Sequence, residues 1–69
     1  MKLSARNVLK GKVVKVTAGA VNSEIILELP GGSQIVSIIT RESAENLSLA
    51  PGKQAYAVVK ASNVMIAVD

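Results

Sequence analysis

Apolar and polar residues alternate over several short stretches of this chain. In "SEIILELP", Ile25, Leu27 and Leu29 fall on one side and Glu24 and Glu28 on the other, with Ile26 interrupting the polar side. Alternation with period two is the mark of a β-strand. In "QIVSIIT", Ile35 and Ile39 share one side while Val36 and Ile38 occupy the other, and "KVVKV" (Lys12–Val16) is apolar on both sides as well. Turn signals separate these runs: "PGGS" at Pro30–Ser33, "PG" at Pro51–Gly52 and a softer "TAGA" at Thr17–Ala20. Strands are therefore predicted over 8–17, 21–29, 34–40, 53–61 and 64–68. The stretch "TRESAENLSL" (Thr40–Leu49) reads differently. Thr40 can cap a helix, Glu42 and Glu45 suit its early turns, and Ala44 and Leu47 lie three apart. The expected fold is all-β with one short helix, a small five-stranded barrel of the OB or SH3-like kind. A strand that is apolar on both faces is covered on both faces. One small barrel has a single interior, so the second face points to another subunit.

Composition sharpens that expectation. The chain has 69 residues, 49% of them hydrophobic, yet Tyr56 is its one aromatic residue. A domain this short buries little surface by itself, and small folds commonly rely on disulfides, metals or association. With no Cys and no His, disulfides and a Cys/His metal site drop out and association remains. The sequence is expected to form one domain over residues 1–69, without internal repeat or linker. No signal peptide and no apolar run of membrane-spanning length is present, so a cytoplasmic protein without a membrane partner is expected.

Enzymatic chemistry has little to work with. The usual acid–base group, thiol nucleophile and zinc ligands are absent. Glu24 and Glu28 share a strand face but lie about 13 Å apart along it, which suits a solvated face better than a paired acid–base site. The turn glycines form no phosphate loop. A formal net charge of +3 admits an anionic partner without naming one. Lys10, Lys12 and Lys15 read as a solvated edge that discourages strand pairing. Single-strand nucleic-acid binding leans on aromatic stacking, for which one tyrosine is a thin supply.

Two polar clusters remain. "SARN" (Ser4–Asn7) precedes the apolar runs, and "VKASNV" (Val59–Val64) interrupts those at the other end. Each alone reads as a turn or a surface ion pair. If the last strands run beside the N-terminal segment of the same or a neighbouring chain, Ser4, Arg6, Lys60, Ser62 and free backbone N–H groups converge. A cationic, donor-rich pocket without acceptors suits a fully ionised oxyanion.

The stretches "SARNVLKGKVVKV", "GAVNSEIILEL", "GGSQIVSIIT" and "LAPGKQAYAVVKASNVMIAV" together resemble the molbindin (Mop) family of molybdate- and tungstate-binding proteins over essentially the whole chain. The resemblance implies a Mop/TOBE-like OB barrel. It also implies a hexamer built as a trimer of dimers, with oxyanion sites at subunit interfaces. It places the main site on Ser4, Ala5 and Arg6 of one chain and Lys60, Ala61 and Ser62 of another. It places a second class of site, near a threefold axis, around Gly19, Ala20, Val21 and Asn22. Those four residues read equally as a plain turn. The metal would be held as its oxyanion, with no direct protein–metal ligand and no other cofactor. The expected protein is a non-enzymatic molybdate or tungstate store or buffer. The alternatives are a ligand-sensing module of a molybdate regulator or transporter, and a nucleic-acid-binding OB module.

Overall fold

The structure, a computed structural model covering residues 1–69, contains four strands and one short helix. The order is β1 (Asn7–Ala18), β2 (Asn22–Glu28), β3 (Gln34–Thr40), α1 (Arg41–Asn46) and β4 (Gln54–Val59), then a 3₁₀ turn at Ala61–Asn63. The strands form one antiparallel sheet in the order β3-β2-β1-β4.

β1 holds the sheet together because it serves two neighbours in turn. Asn7–Lys12 pairs with β4, and Lys12–Ala18 pairs with β2. The curl this requires is visible in two local devices. The first is a β-bulge between Val13 and Lys15, where Val14 has no partner in the β1–β2 register. An extra residue in one strand bends it and resets its alternation. Val13 and Val16, three apart, therefore both serve the core: Val13 is fully buried and Val16 packs against the buried cluster. The two-sided apolar character of "KVVKV" is thus partly a bulge signature. The second device is Gly11. A Cβ there would lie 2.8 Å from the Glu28 carbonyl oxygen, so only glycine lets β1 pass the end of β2 so closely. β3, by contrast, is two-faced as expected: Val36 and Ile38 are 59% and 61% exposed on the outer face.

The helix forms where its caps are. The Thr40 hydroxyl accepts a bond from the Ser43 N–H at 3.0 Å, satisfying one of the free donors of the first turn. At the other end Ser48 takes a left-handed conformation (φ 53°), its N–H bonding the Glu45 carbonyl and the Leu49 N–H reaching the Ala44 carbonyl. That is a Schellman closure with serine in the glycine position. The Lys53 ammonium adds a bond to the Leu47 carbonyl. The helix in turn buries Ala44 over the inner face of the sheet.

The inner face carries a small core: Val13, Ile25, Leu27 and Ala44, flanked by Val16, Ile35, Ile39, Leu49, Ala55 and Ala57. Only 5 of 69 residues are buried, because the sheet curls without closing. An apolar cleft of about 330 Å³ lies open between β3 and β4. The five-stranded barrel expected from the sequence is therefore a four-stranded half-barrel in this chain. The strand expected over 64–68 is not formed. The 3₁₀ turn carries the chain off the end of β4, and residues 64–68 pair with no strand of the same chain. A strand needs a neighbouring edge to satisfy its backbone, and here none is supplied.

Candidate functional site

The register of β1 and β4 decides where the two polar clusters go. Their last pair is Asn7 opposite Val59, and the Asn7 side-chain amide reinforces it with a 3.2 Å bond to the Val59 carbonyl. Arg6 immediately precedes Asn7, and Lys60 immediately follows Val59. The clusters Ser4–Arg6 and Lys60–Ser62 therefore leave the same end of the sheet side by side within one chain. Asn7 is half-buried and has a role that its place in "SARN" alone does not reveal. It ties the two segments together and belongs to the site's scaffold. The asparagine itself is visible in "SARN", but its partner 52 residues away is set by a register that no local pattern encodes.

The chemistry at this end of the sheet is uniform. Ser4, Arg6, Lys60, Ala61 and Ser62 are exposed and Ala5 is half-buried. None of the side-chain hydrogen bonds of the chain uses Ser4, Arg6, Lys60 or Ser62. Neither cation is in an ion pair, since the one salt bridge joins Arg41 to Glu45. Two positive charges and two hydroxyls are thus uncommitted, and the 3₁₀ turn adds its own leading N–H groups, which a helical turn leaves free. The Asn63 and Val64 N–H groups are spent closing that turn on the Lys60 and Ala61 carbonyls. An open cationic surface holds an anion weakly, because water screens it.

The second candidate, Gly19–Asn22, lies at the opposite end of β1. It is a tight turn closed by the Gly19 N–H on the Asn22 carbonyl at 2.8 Å. The Val21 carbonyl accepts from the Arg41 N–H, which docks the turn on the start of α1. Ala20 and Val21 line a shallow depression together with Thr40, Arg41, Glu42 and Glu45. Its cation is already engaged: the Arg41 guanidinium donates to Glu45 at 3.1 Å, and Glu42 adds a further carboxylate. Within one chain this depression is net acidic. No three metal-ligating side chains converge anywhere in the chain, and no helix is long and apolar enough to cross a membrane.

Comparisons with known proteins relate the whole chain to one family. The TOBE domain family matches residues 3–66. The "Molybdenum-pterin-binding protein 2" of Clostridium pasteurianum is 50% identical over 66 residues, covering 96% of this chain and 97% of that protein. The structure of a molybdate-binding protein from Sporomusa ovata superposes with a TM-score of 0.92 at 34% identity, covering 99% of this chain and 100% of that one. The cytoplasmic molybdate-binding protein ModG, solved with molybdate bound, superposes with a TM-score of 0.91 at 51% identity. This chain covers 46% of ModG, with 94% of its own residues aligned.

Proposed function

The chain belongs to the TOBE-domain family and to its molybdenum-pterin-binding (Mop) branch, and from that membership we propose that it binds molybdate or tungstate as the intact oxyanion and stores or buffers it in the cytoplasm. The observation that carries this reading is the cluster of uncommitted donors at the Asn7–Val59 end of the sheet. Arg6 offers a planar fork, Lys60 a point charge, Ser4 and Ser62 hydroxyls, and Ala5 and Ala61 backbone N–H groups. No carboxylate is paired with either cation. Such a set matches a tetrahedral dianion that only accepts hydrogen bonds. The ligand is held without a covalent bond and without catalysis, as befits a relative of proteins named for binding.

The site is shared between subunits. In one chain its donors face solvent, and strong anion binding requires that water be displaced. The outer-face residues Val36 and Ile38 and the open β3–β4 cleft leave apolar surface that association would cover. Apposing two such sheet ends puts Ser4–Arg6 of one chain beside Lys60–Ser62 of another, in a homo-oligomer for which a hexamer, a trimer of dimers, is the expected form. The Gly19–Asn22 turn is a second oxyanion site only if assembly brings cations to it.

Isothermal titration with molybdate, tungstate, sulfate and phosphate tests the reading. Molybdate and tungstate are expected to bind tightly and the other two far more weakly. Absence of heat with molybdate and tungstate, in a folded protein, overturns it.

A further inference from the structure

The side-chain hydrogen bonds of this chain are local with one exception. The others join residues at most six positions apart, whereas the bond from the Asn7 amide to the Val59 carbonyl, at 3.2 Å, spans 52. This long-range bond sits where the β1–β4 pairing ends and the two cationic segments begin. Order is hard to keep at such a place. The end of a ladder opens more readily than its middle. Arg6 and Lys60 flank the last pair, carry like charge and have no counter-ion, so they repel each other until an anion arrives.

The residue type at position 7 answers both demands. A carboxylate there would pair with a cation and neutralise the charge that an anion needs, and it could not donate to a carbonyl. Alanine would leave the charges but remove the donor. An amide is neutral and donates, so it closes the ladder end and leaves both cations free.

We propose that Asn7 is a positioning residue of the oxyanion site. It is an uncharged clamp that holds the Ser4–Arg6 and Lys60–Ser62 segments of each chain at one spacing against their repulsion, and so sets both the affinity for the dianion and the preference for the larger one. The inference rests on the function proposed above, in which two apposed sheet ends present matching halves of a site. Asn7 acts through the segments on either side of it and is not itself a ligand. Donors held in place beforehand need no ordering when the anion binds. Fixed spacing is also what lets size exclude sulfate, because segments free to close on a smaller ion would restore its short bonds.

Molybdate titration of Asn7→Ala, Asn7→Asp and Asn7→Gln beside wild type tests this. N7A should bind about tenfold more weakly, the worth of one hydrogen bond, and its preference for molybdate over sulfate should fall as well. N7D should bind about a hundredfold more weakly, and the gap between it and N7A should narrow as salt rises, because the added loss is a charge effect. N7Q keeps a neutral donor and should stand closest to wild type. Sedimentation should show all three assembled. Equal losses in N7A and N7D, no rescue in N7Q, an unchanged molybdate-to-sulfate preference in N7A, or loss of assembly in all three would make Asn7 a purely structural residue and overturn the proposal. Hydrogen exchange on the anion-free proteins reads the clamp alone. Amides of Arg6–Val8 and Val58–Ser62 should exchange faster in N7A than in wild type or N7Q, and unchanged exchange in N7A overturns the proposal too. If wild type itself takes up no molybdate, the oxyanion reading fails, while the exchange result still decides the clamp.

Discussion

The two ends of β1 differ in their charges more than in their shapes. At the Asn7 end, Arg6 and Lys60 have no counter-ion and four side-chain donors are free. At the Ala18 end, the Gly19–Asn22 turn sits on Arg41, which Glu45 already neutralises, with Glu42 alongside. The 12 residues of β1 hold the two ends apart, and exposed charges separated by more than a Debye length, about 8 Å at physiological salt, are largely screened from each other. The contrast shows what a turn lacks as an anion site. Both ends present backbone N–H groups, but only one presents positive charge that is not already spent.

The largest expected effect tests the favoured end directly. Arg6→Ala should weaken molybdate binding by about 1.5–3 kcal/mol, the value of a hydrogen bond to a charged group. Circular dichroism and thermal unfolding should hardly change, since Arg6 is exposed and makes no bond within the chain. Full-strength binding by an assembled R6A protein would move the principal site to the other end of β1.

Selectivity sharpens the same contrast. Molybdate and tungstate at neutral pH accept hydrogen bonds at all four oxygens, whereas phosphate carries at least one proton. Arg6, Lys60 and backbone N–H groups cannot accept it. Leaving that hydroxyl unpaired in a covered site costs about 1–3 kcal/mol, softened where Ser4 or Ser62 rotates to accept. Sulfate is also an unprotonated dianion, and a cavity sized for the larger ion leaves it with long, weak bonds. The expected order is molybdate and tungstate, then sulfate, then phosphate, measured by competition at fixed pH and ionic strength. Phosphate displacing molybdate at equal concentration would mean that an acceptor, such as those at the Glu42–Glu45 end, lines the occupied site.

Much of the fold and one side of this contrast were legible in the sequence. Period-two alternation and turn residues located β1 to β4 to within about two residues, and Thr40 announced the helix that follows it. The clusters "SARN" and "VKASNV" were visible because hydroxyls, amides and cations are rare in so apolar a chain. Four things were not legible. The bulge at Val14 depends on how β1 curls between two partners, so "KVVKV" read as uniformly two-faced. The Asn7–Val59 register depends on pairing across the whole chain. Residues 64–68 have the pattern of a strand, but a pattern names a strand without naming the edge it joins. The charge balance at Gly19–Asn22 was hidden as well, because Arg41, Glu42 and Glu45 reach it only through the fold.

Lys60→Ala should have a smaller effect than the arginine change, about 1 kcal/mol, because an ammonium acts as a point charge without a fork of donors. Its loss should shrink as salt rises, since an exposed charge acts through a screened field. Titrations of both variants at two salt concentrations check the order. A K60A effect larger than R6A, or one insensitive to salt, would make Lys60 the principal direct ligand.

The smallest effect addresses the other end of β1. Glu45→Gln removes one carboxylate from the depression beside Gly19–Asn22 and frees the Arg41 guanidinium. Its cost to stability should be below about 1 kcal/mol, because both partners of the pair are more than half exposed and such pairs contribute little. The Thr40 cap and the Schellman closure remain to hold the helix. If spent charge is what separates the two ends, the variant should take up anion at the turn: a weak additional class of molybdate binding should appear in titration, while binding at the Arg6–Lys60 end stays unchanged. Salt should abolish the added class first, as its guanidinium lies in open solvent. An E45Q protein with unaltered stoichiometry and affinity would show that the turn lacks more than charge, and the contrast would then lie in donor geometry. Loss of binding in E45Q would place this carboxylate, and so the Ala18 end of β1, in the working site.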